Sequence, residues 1–191
     1  MSADNKEIEI KIPLTENEFF ELKERLRQIA TMKNNTKHVD TYFTPPHRDF
    51  SEPQYPFEFF SIRKRGDKTI LNYKHFHPPN SPETTHCDEF ETEITNAEGI
   101  EKIISLLNFR QLVVVEKERE TFIYKDDFEI CMDKVKDLGF FIEIEAMKSF
   151  DGVEDTRNKL FEFAESLGID TSKTAPRGYV CMLMKKGQYA N

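Results

Sequence analysis

The sequence predicts an α+β fold in which helices pack on the outside of a large antiparallel sheet or barrel. One observation is that many segments alternate apolar and polar residues with the period of a strand, and another is that three segments have helical spacing. The third observation is length, because a chain of 191 residues can bury one proper core. We therefore expect residues 1–191 to form a single domain.

Eight segments are expected to be strands because their residues alternate or are rich in β-branched and aromatic types. They are residues 6–14, 38–43, 59–65, 69–76, 88–95, 112–124, 128–135 and 140–147. Two Pro-rich segments, residues 44–57 and 77–86, are expected to be loops. The longer loop is either a plain connection or a border of the binding site that helps to select a substrate.

Three helices are expected, at residues 16–31, near residues 97–107, and in a segment that ends at Gly168. The first should begin with a capping box made by Thr15 and Glu18, and the third with a cap pattern at Asp151 and Glu154. The expected buried stripes of the three helices are Phe19, Leu22, Leu26 and Ile29; Ile100, Ile103, Ile104 and Leu107; and Leu160, Phe161, Ala164 and Leu167.

Composition excludes several classes of protein. A net charge of -8 argues against a general nucleic-acid binder, which needs a basic surface for the phosphate backbone. No segment approaches the roughly 18 apolar residues that span a bilayer, and the polar N-terminus has no signal-peptide core, so we expect a cytoplasmic protein without a membrane partner. The three cysteines are an odd number without CxxC spacing, which supports neither a disulfide framework nor a structural zinc site.

The charged residues of the strands fall in step. In residues 6–14, Glu7, Glu9 and Lys11 alternate with isoleucines, and further strands repeat such alternation with acidic or basic residues. Either each charged face is the solvated side of an amphipathic strand, or the sheet curls and the faces line one cavity. Acidic pairs lie near both ends of the chain and basic residues in the middle strands, so a shared cavity would bring opposite charges together.

Such a cavity would suit a phosphate compound and a divalent metal. Isolated charges removed from water cost several kcal/mol, so they persist only when they are paired with each other or with a bound ligand. The candidate phosphate-binding cations are Lys11, Arg63, Arg65, Lys74, Lys117 and Arg119, enough for the roughly four charges of a triphosphate. The candidate oxygen ligands of Mg²⁺ or Mn²⁺ are Glu7, Glu9, Asp133, Glu143 and Glu145.

The order of these segments resembles the CYTH superfamily, the triphosphate tunnel metalloenzymes. "EIEIK" is similar to the ExExK signature of that family, and "HVDTYF" to its H-x-D-x-Y-F segment. The remaining similar segments, in chain order, are "IRKR", "LNYK", "DEFE", "EKER", "MDKV", "LGFFIEIE" and "PRGYVCML". ExExK alone is a weak signal, but the ordered set covers nearly the whole chain.

The resemblance implies a closed eight-stranded antiparallel β-barrel that forms a tunnel around a triphosphate. It implies metal ligands at Glu7, Glu9, Glu143 and Glu145, with Asp133 nearby. The six cations would bind the substrate, and the implied catalytic residues are Lys11, as activator of the nucleophile, and Lys117. One departure from the family pattern is Cys87, which stands where relatives often carry a basic residue.

The resemblance leaves the reaction open. A class IV adenylyl cyclase, which converts ATP to cAMP and pyrophosphate, is the leading expectation because the length and pattern are similar. The alternatives are a tripolyphosphatase, a thiamine triphosphatase and a phosphate-ligand binder without catalysis, and a homodimer also stays open.

The residues alone suggest two smaller sites. His75, His77, His86 and Cys87 could be drawn as a zinc site, although His75 and His77 should face away from the tunnel because they alternate with Lys74. His38 and Asp40 form either an acid–base pair or, as the favoured alternative, a hydrogen-bonded structural element.

Overall fold

The computed structural model describes residues 6–188. Its strands are Lys6–Glu7 (β1), Glu9–Leu14 (β2), Thr31–Thr44 (β3), Glu58–Arg65 (β4), Lys68–His77 (β5), His86–Glu93 (β6), Arg110–Tyr124 (β7), Phe128–Val135 (β8) and Gly139–Ala146 (β9). Its α-helices are Glu16–Ile29 (α1), Ala97–Leu106 (α2), Gly152–Ser166 (α3) and Tyr179–Gln188 (α4), and Thr171–Lys173 form a short 3₁₀ helix. Within residues 6–188, no helix has both the length and the apolar composition required to cross a bilayer.

The strands form one curled antiparallel sheet of nine strands. Its order is β1-β6-β5-β4-β3-β7-β8-β9-β2, so the two ends of the ladder are strands that follow each other in the chain with only Ile8 between them. This arrangement confirms the α+β class and the large antiparallel sheet. Closure into an eight-stranded barrel stays a prediction, because the ladder as observed has nine strands and two ends.

The convex face of the sheet is covered by α1 and α3. Ile8, Ile10 and Ile12 point to this face and are buried with Leu26 of α1 and Leu160 of α3. The apolar side of the first strand is therefore covered by helices, as the sequence predicted. Its charged side must face the concave interior, because successive residues of a strand point to opposite faces.

The helix ends and stripes are confirmed in part. Thr15 and Glu18 make the predicted capping box, and Gly168 follows α3 with a φ of 73°, a left-handed conformation that glycine adopts without strain. Asp151 is the N-cap residue of α3, as predicted, but its side chain makes no cap hydrogen bond. The prediction that Ile29 is a core residue is wrong, because this side chain is 44% exposed at the end of α1.

In the second helix, more of the predicted buried stripe is exposed than in the first. Ile104 is buried, but Ile103 and Leu107 are 51% and 57% exposed. The apolar side of α2 therefore exists as predicted, while only part of it meets the sheet.

The fourth helix was not predicted, and it corrects the expectation that all helices pack outside. Tyr179, Val180 and Cys181 of α4 are buried in a second core cluster with Tyr42 and Phe59, which line the concave side of the sheet. This helix thus fills part of the interior and narrows the space that the curled sheet encloses.

Candidate functional site

A cavity of about 260 Å³ lies on the concave side of the sheet, and we call it the charged cavity. Ten of the eleven predicted site residues line it: Glu7, Glu9, Lys11, Arg63, Arg65, Lys74, Lys117, Arg119, Glu143 and Glu145. The eleventh, Asp133, lies behind Lys117 and Arg119 and binds both. The charges that alternate in the sequence therefore meet in one cavity rather than on a solvated face.

One group of ion pairs is centred on Asp133, whose side chain is 0% exposed. Its carboxylate accepts hydrogen bonds from Arg119 Nε at 2.7 Å, Lys117 Nζ at 3.1 Å and Tyr179 Oη at 2.8 Å. Arg119 also donates to Glu143 at 2.8 Å. Strands β7, β8 and β9 are neighbours in the sheet, which places these partners side by side.

Lys11 joins this group from β2. Its Nζ lies 2.9 Å from Glu143 and 2.8 Å from Glu9. The ring of Tyr179 lies beside both lysines, with Lys11 Nζ 4.6 Å and Lys117 Nζ 5.0 Å from the ring centre. The tyrosine of α4 thus holds Asp133 and packs against the two predicted catalytic lysines at once.

A second group of ion pairs lies on β1, β4, β5 and β6. Lys74 is paired with Glu7 and lies 3.3 Å from Glu89. Arg63 Nη1 donates to Glu89 at 2.9 Å and to Glu91 at 2.7 Å. These contacts pair the buried cations with carboxylates, although Arg63 Nε has no hydrogen-bond partner among the described residues.

The carboxyl groups respond to this environment in opposite directions. Burial, with the nearby charges of Glu89 and Glu9, raises the pKa of Glu7 to about 7 despite Lys74. Burial and the charges of Glu7 and Glu9 also raise the pKa of Glu145. In contrast, Lys74 and Arg63 overcome the effect of burial and lower the pKa of Glu89 to about 2. The two carboxyl groups whose pKa is raised by burial and crowding, Glu7 and Glu145, therefore lie in or near the first strand.

The two predicted catalytic lysines also differ. For Lys11, burial alone would lower the pKa, but the carboxylates of Glu143 and Glu9 outweigh it and raise the pKa. For Lys117, burial and the neighbouring charge of Arg119 lower the pKa, even with Asp133 in contact. Lys11 is thus held as a cation, whereas Lys117 is the amine that loses its proton more readily.

The donor set fits a divalent metal. Eight carboxyl groups and six basic groups line the charged cavity, so its lining has an acidic excess. Glu9 lies directly opposite Glu145 in the sheet, and Glu7 acts on the pKa of Glu145. In the described structure these oxygens do not form a cluster within 4.8 Å, because Lys11 and Lys74 hold Glu9 and Glu7. Glu7, Glu9 and Glu145 could hold Mg²⁺ or Mn²⁺ once those lysines turn to another anion.

Both smaller candidate sites change in the structure. His38 Nε2 lies 2.9 Å from Thr36 Oγ1, and among the described contacts His38 makes no hydrogen bond to Asp40, so the structural alternative is favoured over the acid–base pair. Cys87 points to the concave side of the sheet, where its Sγ donates to Glu7, a residue of the charged cavity, at 2.9 Å. It therefore cannot share a zinc ion with the histidines on the opposite face of the sheet.

Several residues of the site are not predicted by the sequence. Glu89, Glu91 and Tyr179 line the cavity although they were not predicted as site residues, and Asp40, which was predicted only as a partner of His38, lines it as well. The glutamates had a usable signal, since they alternate in "DEFETEI" in phase with the other strands. Tyr179 was visible only as part of the motif "PRGYVCML".

A second chamber of about 280 Å³ opens beside the charged cavity and shares Glu7, Glu9 and Lys11 with it. Its lining mixes apolar and polar groups, among them Phe76, Phe161, Pro176, Thr84, Arg157 and Arg177. Arg177 Nη1 donates to Pro56 O at 3.2 Å, while its buried Nη2 has no partner among the described residues. The second chamber can therefore hold a group that has apolar surface and a hydrogen-bond acceptor for Arg177.

Known proteins share this pattern and fold. The family model described as "CYTH domain" matches residues 5–179. A protein of Methanocaldococcus jannaschii, provisionally named an adenylate cyclase, is 25% identical over 176 residues, which cover 91% of this chain and 96% of that protein. A solved protein of Pyrococcus horikoshii OT3 is 28% identical and covers 94% of this chain and 99% of its own, with a TM-score of 0.79.

A plant protein from Hippeastrum shares the fold at 17% identity, with a TM-score of 0.66 and 95% of each chain covered. It is provisionally named an adenylyl cyclase and is described as having a dominant triphosphatase activity.

Proposed function

The chain belongs to the CYTH domain family, and on that premise we propose that it is a metal-dependent enzyme that acts on a triphosphate in the charged cavity. The observation that carries the proposal is the set of six basic side chains that face one enclosed space beside an excess of carboxylates. A phosphate chain binds cations through charge-assisted hydrogen bonds, and the carboxylates supply oxygen ligands for a divalent ion.

The acidic excess supports metal dependence. A triphosphate alone would meet more carboxylates than cations, so its entry requires further positive charge. We assign Glu7, Glu9 and Glu145 as metal ligands. Burial and neighbouring carboxylates raise the pKa of Glu7 and of Glu145, and Glu9 lies directly opposite Glu145 in the sheet. Glu143 and Asp133 remain in the ligand set that the sequence predicts, although both are engaged by cations here.

The ion pairs support an exchange of partners on binding. Lys11 and Lys74 now neutralise Glu9 and Glu7. When a phosphate chain enters, the two lysines and the arginines can turn to its oxygens, and the released carboxylates can then hold Mg²⁺ or Mn²⁺. A bound divalent ion would polarise phosphate oxygens and stabilise the charge that develops on them. The chain's cations orient the phosphates and exclude water from the buried side.

The contrast between the lysines supports a division of roles. Lys117, whose pKa is lowered, gives up its proton more readily than Lys11, and its neutral amine is assigned as the acceptor of the proton from the attacking hydroxyl or water. Lys11, whose pKa is raised, is assigned as a permanent cation that binds phosphate and stabilises the transition state. Both stay in the catalytic set, but the activation of the nucleophile moves from Lys11 to Lys117.

The adjoining chamber supports a substrate that carries an organic group. For this reason we place class IV-type adenylyl cyclase activity, from ATP to cAMP and pyrophosphate, first. Hydrolysis of tripolyphosphate or thiamine triphosphate is the second candidate, and the description of the Hippeastrum protein keeps it in view. In this proposal β1 and β2 act as one strand that is kinked at Ile8 and closes the sheet into an eight-stranded tunnel within a single domain.

Product analysis tests the proposal. The protein is incubated with ATP, thiamine triphosphate or tripolyphosphate, each with Mg²⁺ or Mn²⁺ or with EDTA, and the products are identified. Release of cAMP and pyrophosphate supports the cyclase, release of orthophosphate supports the hydrolase, and no turnover of any substrate refutes the enzyme. Glu9→Gln should abolish the metal-dependent turnover, whereas Glu93→Gln, at an exposed glutamate outside the cavity, should keep it. Full activity of Glu9→Gln would contradict the metal role.

A further inference from the structure

Two histidines and an aspartate meet on the face of the sheet opposite the charged cavity. His75 of β5 lies directly across from Asp88 of β6, and His77 is two residues further along the same face. The neighbours Lys74 and Glu89 line the cavity, so the three side chains point away from it. One nitrogen of each histidine and one carboxylate oxygen lie within 4.8 Å of one another.

We propose that His75, His77 and Asp88 form a binding site for a divalent transition metal of the zinc type. His75 Nδ1 is 3.2 Å from His77 Nε2, which is 2.9 Å from Asp88 Oδ2. Ligand atoms that surround Zn²⁺ tetrahedrally at about 2.0–2.1 Å are about 3.3 Å apart, so these two spacings need shifts of only a few tenths of an ångström. The third pair, His75 and Asp88, lies within 4.8 Å. Two imidazoles and a carboxylate suit zinc, whereas Mg²⁺ prefers oxygen ligands alone.

The sheet positions the three ligands before a metal binds. All three belong to paired strands, so the ladder fixes the positions of their backbones. His86 stacks on His77 with ring centres 4.8 Å apart, and Phe57 packs edge-on against His75 at 5.4 Å. Such outer contacts orient the imidazoles that bind a metal. The His77 and Asp88 side chains are 30% and 37% exposed, which lets an ion enter and a water molecule complete the coordination.

This site differs from the zinc site that could be drawn on the sequence. Cys87 points to the concave side of the sheet, lines the second chamber and donates to Glu7, and His86 Nδ1 lies 2.9 Å from Thr85 Oγ1. Asp88 takes the place of both as the third ligand. A metal held here would link β5 to β6 across the wall that carries Lys74 and Glu89, and it would be separate from the metal assigned to the cavity.

Cobalt binding tests the proposal. Protein without an affinity tag is freed of metal with EDTA and titrated with Co²⁺, which absorbs visible light strongly in a tetrahedral histidine site and only weakly among carboxylates and water. We expect one strong visible band that Zn²⁺ removes. His77→Ala should weaken binding by more than the roughly 10–100-fold that outer-sphere partners cost. Asp88→Asn, which keeps the shape of the side chain, should also weaken it.

Two controls separate this site from other histidines and from the cavity. His47→Ala, at an exposed histidine in the loop after β3, should keep the band. Glu9→Gln should also keep it, even though that change removes a proposed cavity ligand. The proposal is overturned if wild-type protein gives no saturable strong band, or if Asp88→Asn and a folded His77→Ala both bind Co²⁺ as wild-type protein does.

Discussion

Replacement of Asp133 by asparagine tests whether this buried carboxylate holds the cations of the cavity in place. Asp133 is fully buried and accepts hydrogen bonds from Arg119, Lys117 and Tyr179. Its charge, with that of Glu143, is what compensates the burial of the two cations. The carboxylate must therefore be ionised in the folded protein, and Arg119 and Lys117 lower its pKa although burial opposes this.

The size of the effect follows from the uncompensated charge. Asparagine has nearly the same shape but no charge, so Lys117 and Arg119 would keep only Glu143, which lies 2.8 Å from Arg119. Loss of one partner from a buried ion pair costs about 3–5 kcal/mol. In a protein of this length, each kcal/mol lowers the melting temperature by about 2–4 °C.

Urea unfolding with and without tripolyphosphate measures both consequences. Asp133→Asn should lose about 3–5 kcal/mol of unfolding free energy. At one concentration of tripolyphosphate, the variant should be stabilised more than the wild type, because the ligand replaces the missing negative charge. A ligand present at 100 times its Kd adds about 2.7 kcal/mol to the free energy of unfolding. Asp67→Asn, at an exposed aspartate in the turn after β4, is the control. A loss below about 1 kcal/mol, or equal stabilisation of both proteins, would refute the reasoning.

Two further predictions concern single side chains. Lys74→Gln should weaken tripolyphosphate binding by about tenfold or more in calorimetry, since a charge-assisted hydrogen bond contributes about 1.5–3 kcal/mol. Lys68→Gln, on the same strand, should not weaken it. If Lys74→Gln binds tripolyphosphate as tightly as the wild type does, Lys74 lies outside the site. Burial and the charges of Lys117 and Arg119 lower the pKa of His38 from 6.5 to about 3, so the unfolded chain takes up this proton first as the pH falls. Between pH 7 and pH 5, the wild-type protein should therefore lose about 1–2 kcal/mol of unfolding free energy relative to His38→Gln, after allowance for solvent screening. Urea unfolding at each pH measures this difference. Parallel pH profiles of the two proteins would contradict the lowered pKa.

The fold was predictable where periodicity alone decides it. The alternation of Ile8, Ile10 and Ile12 with charged residues set the face of the first strand, and the structure confirms it. In α2 the pattern located an apolar side but not what covers it, and Ile103 is exposed. The last helix was missed because the short apolar run that begins at Tyr179 fits a strand and a helix equally well.

The site was predictable because every second residue of a strand faces the same way. That rule brought the predicted cations and carboxylates to one cavity without knowledge of the strand order. The same rule could not predict which cation pairs with which carboxylate, because the pairs depend on the register between strands. Asp133 illustrates this limit, since its neighbours on β7 and α4 occupy the oxygens that were predicted to bind metal.

The charge balance of the cavity links the two proposed ligands. A divalent ion that arrives alone must compete with Lys11 and Lys74 for the carboxylates, and a triphosphate that arrives alone must enter a lining with an acidic excess. Each ligand removes the obstacle for the other, because phosphate draws the lysines away and the metal neutralises the carboxylates. We infer that metal and substrate bind together more tightly than either binds alone, so that the substrate reaches Lys117 together with the metal.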